Sequence, residues 1–354
     1  MGIGLEFLIF GIALAVLIKG SDFFVSSASK LAKYFGVSDF VIGLTIVALG
    51  TSLPEFASSI AAALTDNTGL IIGNIVGSNI ANIGLIAGFS AIVAVLEIKK
   101  TMFRRDGLFL IAVSILFLIF ALNKTISRIE GLVLYTFFMF YISFLFKFQP
   151  SKGKFGFRKY LENFDSEFFK KFIRPNTYKE MLIGSLRFIG PKRKSLTSEE
   201  ERFIHIFKNV SLLIIGGFAI FYGAKYIVPS AANIAQYFKV PADIVGLVLI
   251  AIGTSLPELF VSITALRKGL SNILIGNVLG SNIANLLFIG GISAIINPLT
   301  INTISLYYTI PFMILMTFML LIFIRSYWLL RMFEGLILLF LYILFIISLL
   351  MFFL

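Results

Sequence analysis

The sequence predicts an all-α polytopic membrane protein with ten transmembrane helices, arranged as two inverted five-helix repeats in which helices 2, 3, 7 and 8 are broken. Composition is the first observation behind this class: 58% of the 354 residues are hydrophobic, only 14% are charged, and the mean hydropathy is +0.98. The second is a series of apolar runs that reach the roughly 18 residues of a membrane span. The third is a motif that occurs almost unchanged at 48–55 and at 251–258.

An internal repeat relates the two halves of the chain. The offset that takes Glu55 to Glu258, 203 residues, also takes Gly43 to Gly246 and aligns 73–82 with 276–285. No gap is needed from residue 20 to about residue 92, and roughly 34 of about 73 aligned positions are identical. With five spans in each half, an odd number, the second copy crosses the membrane in the opposite direction. The repeat is therefore predicted to be inverted, with both motifs near the midplane.

The predicted spans divide evenly between the halves. They lie at about 5–34, 39–64, 70–97, 106–122 and 130–147, and then at about 209–237, 243–266, 272–296, 304–324 and 332–353. The domains are accordingly a first five-helix repeat (1–147), a basic loop (148–208) and a second five-helix repeat (209–354). We expect breaks near Gly50–Pro54 and Gly253–Pro257, because proline removes a backbone N–H and displaces the carbonyl four residues earlier. Helices 3 and 8 are expected to be interrupted near Gly77 and Gly280.

Basic residues in the loops predict the orientation. With the N-terminus outside, the external loops carry only Lys124, Arg128 and Lys239, whereas the internal loops carry the remaining loop lysines and arginines. The positive-inside rule then places both termini outside and the 148–208 loop in the cytoplasm of a plasma-membrane protein. This rule accounts for the net charge of +12 without nucleic acid. Basic and aromatic residues mixed along the loop suit either an amphipathic segment on anionic lipid or a solvated linker.

The repeated motif carries the chemistry. Glu55 and Glu258 each lie in the middle of an apolar segment. A charge at that depth costs about 2.5–3.5 kcal/mol on insertion scales, so an intramembrane carboxylate indicates a functional site. Residues four apart share one helix face, and inverted symmetry is expected to gather four such pairs around one cavity: Thr51 with Glu55, Ser78 with Asn82, Thr254 with Glu258, and Ser281 with Asn285.

Carboxylate, hydroxyl, amide and carbonyl oxygens are ligands for hard cations. Such a mixed cage suits Ca²⁺ and Na⁺ better than Mg²⁺, which keeps its own water and demands octahedral geometry. Transition metals are disfavoured, because the chain has no cysteine and its single histidine, His205, is predicted to lie in a polar loop. We expect no cofactor, and we expect Ca²⁺ and Na⁺ as transported substrates.

Several of these residues have a purely structural alternative. Glycines 73, 77, 276 and 280 can serve close helix packing. Four polar residues can instead satisfy backbone groups at the breaks, namely Ser52, Ser255, Asn79 and Asn282. Neither motif contains a basic residue to pair with its carboxylate, and Lys225 in helix 6 is the nearest candidate partner. Asp22 lies in helix 1, away from the motifs, and is expected to act in gating or packing.

The repeated motifs resemble those of a known family. GTSLPE at 50–55 and 253–258, with GNIVGSNIANI at 73–83 and GNVLGSNIANL at 276–286, resemble the two α-repeats of the sodium/calcium exchangers, within the cation/calcium exchanger superfamily. The resemblance implies antiport by alternating access, in which several Na⁺ enter as one Ca²⁺ leaves. It implies that Glu55 and Glu258 ligate Ca²⁺ and share Na⁺. The remaining implied ligands are the hydroxyls of Thr51, Ser52, Ser78, Thr254, Ser255 and Ser281, the carbonyls of Ala48 and Ala251, and the amides of Asn82 and Asn285.

One position departs from part of that family. Some prokaryotic members and the potassium-dependent branch resemble this chain but carry Asp at the position of Asn285. Two carboxylates without a third give the cavity a charge that one Ca²⁺ neutralises, so exchange against three Na⁺ is expected to be electrogenic and independent of K⁺. The proton-coupled branch is similar but usually has a Gly-Asn-x-x-Glu-His type of motif, which this chain lacks.

Three other functions remain open from the residues. A proton-coupled Ca²⁺/cation exchanger is the first, because a carboxylate in a membrane can titrate. A cation channel that uses the two glutamates as a selectivity pair is the second, although broken inverted helices argue against it. An intramembrane enzyme is the third; the sequence contains no paired Asp, no histidine at depth and no GxSxG elbow, so the protein is not expected to be an enzyme.

Overall fold

The structure is a computed structural model that describes residues 3–147, 198–237, 253 and 255–353. The first half contains α1 (Ile3–Phe35), α2 (Asp39–Thr51), α3 (Leu53–Leu64), α4 (Thr68–Val93), α5 (Leu108–Ala121) and α6 (Arg128–Lys147). The second contains α7 (Ser198–Tyr237), α8 (Leu256–Arg267), α9 (Ser271–Ile296), α10 (Ser305–Tyr327) and α11 (Met332–Phe353). The five described helices of the second half follow the order of α1, α3, α4, α5 and α6 in the first.

Among the described residues, seven helices are long and apolar enough to cross a membrane, or eight if α2 and α3 form one bent span. Two predicted spans are missing from this set. The span at 106–122 corresponds to α5, which follows a turn that carries Arg104, Arg105 and Asp106. The span at 243–266 is described only at 253 and 255–266, where α8 has 12 residues. The polytopic helical class is confirmed, and the count of ten helices stays a prediction.

The predicted break in helix 2 is confirmed. The chain bends by 46° between α2 and α3, and Ser52, the residue between them, leaves helical geometry with φ −82° and ψ 9°. Pro54 lies in the first turn of α3, where its missing N–H costs nothing because that donor has no helical partner. Ser255 has nearly the same dihedral angles, φ −87° and ψ 4°, immediately before α8.

The predicted interruptions of helices 3 and 8 at Gly77 and Gly280 are wrong. The α-helix runs unbroken through both glycines, and each helix instead changes to a π-helical turn further on, at Asn82–Ala87 and at Asn285–Ile289. Glycine keeps its backbone N–H, so it weakens a helix without breaking it as proline does. Gly280 serves packing, because a Cβ there would lie 2.4 Å from the carbonyl oxygen of Leu44.

Helices α4 and α9 form the centre of the molecule. In each of them 78% of an apolar stretch of 18 residues is buried, against 22% of the corresponding stretch in α1. Most of α1 therefore faces outward. α1 packs antiparallel to α7: Asn233 near the end of α7 donates to Glu6 near the start of α1, and His205 stacks on Tyr34 at the other end. His205 therefore lies in a helix, and the prediction that it lies in a loop is wrong.

Two short strand pairs, which the sequence did not indicate, join the halves. β1 (Leu96–Glu97) pairs antiparallel with β4 (Leu329–Leu330), and β2 (Thr125–Ile126) pairs antiparallel with β3 (Leu299–Thr300). The repeat offset takes β1 onto β3 and takes β2 to within one residue of β4. The two sheets are therefore equivalent under the internal symmetry, and each contains one strand from each repeat.

Candidate cation-binding site

The two predicted carboxylates occupy equivalent places in the fold. Glu55 lies in the first turn of α3 and Glu258 in the first turn of α8, each three residues after its break serine. Both side chains are only 2% exposed. The first turn of a helix favours negative charge, because its free N–H groups and the helix dipole point toward it. Neither carboxylate forms an ion pair with any described lysine or arginine.

Contacts across the halves bring the two motifs together. The hydroxyl of Ser52 donates to Oε1 of Glu258 over 3.0 Å. The hydroxyl of Thr51, one residue earlier, lies 3.2 Å from Oδ1 of Asn277 in α9. The break of the first repeat thus touches both the carboxylate and the central helix of the second. For Ser52 this contact replaces the structural alternative, in which its side chain would satisfy a backbone group.

Four asparagines lie where α4 crosses α9. Asn82 donates through Nδ2 to Oδ1 of Asn282 over 2.9 Å, and Asn285 donates through Nδ2 to Oδ1 of Asn79 over 3.0 Å. All four side chains are at most 1% exposed. Asn79 and Asn282 also bond each other's backbone carbonyls, as the structural alternative expected, although they do so at the helix crossing and not at the breaks.

Six buried oxygens of the predicted site have no hydrogen-bond partner within the described part of the chain. They are Oε2 of Glu55 and Glu258, Oδ1 of Asn82 and Asn285, and Oγ of Ser255 and Ser281. Leaving a buried polar atom unpaired costs about 1–3 kcal/mol, and more when it is charged. Oxygens gathered without donors are what Na⁺ or Ca²⁺ requires, so the donor set fits a hard cation.

The other predicted ligands differ in their surroundings. Thr51 and Ser78 are both buried. The carbonyl of Ala48 already accepts the N–H of Ser52 at 3.0 Å and lies 3.2 Å from the Thr51 hydroxyl. Thr254 and Ala251 lie outside the described residues. The structure therefore describes ten of the twelve predicted residues, and eight of them form four equivalent pairs across the two repeats.

Two further asparagines support the site, and sequence reasoning did not assign them a role. Asn74 in α4 donates to the carbonyl oxygen of Glu55 over 3.0 Å and to the hydroxyl of Ser59 over 2.9 Å. Its equivalent Asn277 donates to Ser262 over 3.2 Å. Each fastens the first turns of a carboxylate-bearing helix to a central helix. The signal was present, because both asparagines are aligned by the repeat offset.

Two further charged residues were singled out in the sequence: Lys225 as a partner of the carboxylates, and Asp22 for gating or packing. Lys225 is exposed, with its ammonium 5.9 Å from the ring centre of Tyr222. Asp22 forms an ion pair with Lys268, 3.3 Å away in the loop that follows α8. Among the described residues, therefore, no lysine or arginine neutralises either carboxylate.

A polytopic membrane protein with discontinuous helices around a buried, oxygen-lined site belongs to the class of secondary cation transporters. A sequence model of the family described as "Sodium/calcium exchanger protein" matches residues 5–147 and 208–351. The chain belongs to this family.

Relatives and solved structures agree with this assignment. The chain is 40% identical over 351 residues to the sodium/calcium exchanger MaX1 of Methanosarcina acetivorans, covering 98% of this chain and 99% of that one. It is 33% identical to human sodium/potassium/calcium exchanger 2, over 134 residues that cover 37% of this chain and 20% of that one. A structure of the sodium-calcium exchanger NCX_Mj, soaked with Na⁺ and Sr²⁺, matches with a TM-score of 0.76 and 29% identity over 98% of this chain and 99% of that one.

Proposed function

We propose that this protein exchanges Na⁺ for Ca²⁺ across the plasma membrane by alternating access, electrogenically and without K⁺. The observation that carries the proposal is the pair of buried carboxylates, Glu55 and Glu258, whose Oε2 atoms have no described partner. The names of MaX1 and NCX_Mj support the choice of Na⁺ and Ca²⁺. No cofactor takes part in this function.

The charge of the site supports obligatory exchange. Two carboxylates give the cavity a charge of −2, which one Ca²⁺ neutralises and three Na⁺ change to +1. Uncompensated charge at the midplane is costly, so loaded states cross the barrier more readily than the unloaded one. A cycle that moves net charge responds to the membrane potential by about 2.3 kcal/mol per charge per 100 mV.

Each of the twelve predicted residues has a part in this proposal. Glu55 and Glu258 ligate Ca²⁺ and share Na⁺, and the amide oxygens of Asn82 and Asn285 complete the centre. The flanking Na⁺ positions take oxygens from Thr51, Ser52, Ser78, Thr254, Ser255 and Ser281 and from the carbonyls of Ala48 and Ala251. Because the carbonyl of Ala48 already accepts a backbone N–H, it contributes through its second lone pair.

The domain boundaries and the orientation form part of the same proposal. The two repeats comprise residues 1–147 and 209–354, with a cytoplasmic loop between them and both termini outside. The strand pairs are compatible with this orientation, because β1 lies at the internal end of the third predicted span and β4 lies in a predicted internal loop, whereas β2 and β3 both fall in predicted external loops. Contact of the basic loop with anionic lipid also stays a proposal, and it concerns residues outside the described ranges.

A proton-coupled exchanger is the second candidate. The observation that favours it is the same unpartnered Oε2 on each glutamate, since an oxygen without a donor can take a proton as well as a metal ion. A cation channel remains a less favoured third candidate, because broken helices around a buried centre suit alternating access better.

Flux measurements separate these candidates. Purified protein in proteoliposomes is given an outward Na⁺ gradient, an outward proton gradient or neither, and ⁴⁵Ca²⁺ uptake is measured. We expect uptake only with the Na⁺ gradient. An inside-positive potential should stimulate it, because three Na⁺ leave for each Ca²⁺ that enters and one net positive charge moves outward. Uptake driven by the proton gradient alone would support the second candidate. Single-channel current steps in planar bilayers would support the third.

A further inference from the structure

The asparagine pair Asn79 and Asn282 forms a closed set of bonds at the crossing of α4 and α9. Nδ2 of Asn79 donates to the backbone carbonyl of Asn282 over 3.3 Å, and Nδ2 of Asn282 donates to the backbone carbonyl of Asn79 over the same distance. Each bond therefore joins one repeat to the other. The side chains are fully or almost fully buried, so water does not compete for these groups.

These reciprocal bonds fix which end of each amide points where. A backbone carbonyl can only accept a hydrogen bond, so the atom that faces it must be the NH₂ group. The Oδ1 atoms of Asn79 and Asn282 consequently point to the neighbouring amides, where they can only accept. The groups that donate to them are Nδ2 of Asn285 and Nδ2 of Asn82.

The orientation of the two ligand amides follows from this arrangement. Since Asn82 and Asn285 are held by their NH₂ groups, their Oδ1 atoms point the other way, and these are the atoms without a described partner. A flipped amide would place its two N–H donors where the unpartnered Oδ1 now lies, and these donors would repel a cation bound there. It would also set two acceptors against each other at the helix crossing, where the atoms are buried.

We propose that Asn79 and Asn282 are positioning residues that hold the oxygens of Asn82 and Asn285 toward the cation. The chemical identity of the cation rests on the proposed function, whereas the orientation rests on the bonds alone. Each positioning residue acts on the other repeat: Asn79 of the first repeat orients Asn285 of the second, and Asn282 of the second orients Asn82 of the first. The two ligand amides carry no charge, but their oriented oxygens thereby favour a cation.

The first measurement removes one positioning side chain. Asn282→Leu keeps a similar volume but can neither accept from Asn82 nor donate to Asn79. Binding of ⁴⁵Ca²⁺ to purified protein is measured by equilibrium dialysis in Na⁺-free buffer, with no gradient present. The loss of the hydrogen bond that orients Asn82 is expected to weaken Ca²⁺ binding about 2- to 10-fold, the scale of one net hydrogen bond.

The second measurement distinguishes orientation from general support of the fold. An Asp at position 82 has an oxygen at both ends, so it needs no orientation. In the Asn82→Asp background we therefore expect Asn282→Leu to weaken Ca²⁺ binding by less than about 2-fold, or to strengthen it, since the acceptor Oδ1 no longer faces a carboxylate. An equal loss in both backgrounds would overturn the proposal.

The internal symmetry supplies an independent repeat of this cycle. Asn79→Leu is combined with Asn285→Asp, and the same pattern is expected. Each variant is checked by gel filtration; where Leu prevents folding, Ala at the same position removes the same bonds with less steric demand. Background-dependent losses together with absent Na⁺-driven flux would reject the proposed exchange and keep the orientation. Intact Na⁺-driven flux together with losses that are equal in both backgrounds would support the proposed exchange and reject the proposed orientation.

Discussion

Ser52 donates its hydroxyl to Oε1 of Glu258 over 3.0 Å, so the break in one repeat supports the carboxylate of the other. The donor is held in place by the break itself, because Ser52 is the residue that leaves helical geometry between α2 and α3. Oε2 of the same glutamate has no described partner. One oxygen of Glu258 is thus fixed by the protein, and the other is left for a ligand.

Removing either carboxylate charge is expected to abolish transport. Glu55→Gln or Glu258→Gln leaves a site with one charge in place of two, which binds Ca²⁺ much more weakly. Na⁺-driven ⁴⁵Ca²⁺ uptake into proteoliposomes measures the effect. Glu97→Gln, the same chemical change at an exposed position in β1, is the control and should transport normally. Near-normal uptake by both site variants would contradict the site assignment.

Removing the hydroxyl of Ser52 is expected to weaken Ca²⁺ binding without unfolding the protein. Hydrogen bonds to charged groups contribute about 1.5–3 kcal/mol, so Ser52→Ala should weaken binding roughly 10- to 100-fold. Equilibrium dialysis with ⁴⁵Ca²⁺ tests this. Ser143→Ala removes an exposed hydroxyl that bonds only a carbonyl of its own helix and should have no effect. If the two variants bind equally well, the contact does not support the carboxylate.

The proposed orientation predicts which introduced cysteines are accessible. The chain contains no cysteine, so single cysteines can be introduced without removing others. An impermeant thiol reagent applied to intact cells should label Lys124→Cys, in the predicted external loop before α6. It should label Lys99→Cys, next to β1, only after the cells are permeabilised. The opposite pattern would place the N-terminus inside.

Neutral amides at the centre predict exchange that does not require K⁺. Initial Na⁺-dependent ⁴⁵Ca²⁺ flux is compared with K⁺ or choline as the balancing ion, and equal rates are expected. Asn285→Asp adds a third carboxylate beside two others, so its transport should become more dependent on pH, because protons compete with the metal ion. A strict K⁺ requirement in the unmutated protein would show that neutral ligands are not what decides this property.

The close approach of α9 to α2 predicts that Gly280 does not tolerate a larger residue. A Cβ at this position would lie 2.4 Å from the Leu44 carbonyl oxygen and 2.8 Å from Cβ of Ala48. Gly280→Ala is expected to cost about 1–3 kcal/mol through overpacking, measured as a lower thermal unfolding temperature in detergent. Gly73→Ala is the matched control in α4, because no described atom lies within 4 Å of the added Cβ. Equal temperatures would argue that the helices can move apart.

Features that depend on local chemistry were predictable from the sequence. The break at Ser52 agrees with Pro54, which removes a backbone N–H and displaces the carbonyl four residues earlier. The burial of Glu55 and Glu258 follows from their position in the middle of apolar segments. The equivalence of the two halves follows from identical residues at a constant offset of 203 positions.

Features that depend on which elements meet were not predictable. A two-residue strand such as β1 has too few residues to show alternation. The bonds between Asn79 and Asn282 depend on how α4 crosses α9, which periodicity does not determine. At Gly77 and Gly280 the sequence favoured interruption, but close packing is what uses Gly280, and a glycine alone cannot distinguish these roles.

The two strand pairs constrain the order in which the chain assembles. Leu96 of β1 pairs with Leu330 of β4, and Thr125 of β2 pairs with Thr300 of β3. The strands with which β1 and β2 pair are therefore synthesised long after the first repeat. During synthesis, β1 and β2 emerge with unpaired edge groups, and contacts this distant in sequence form slowly. Until the second repeat has inserted beside the first, Ser52 lacks its partner Glu258, and Asn79 and Asn82 lack their partner Asn282.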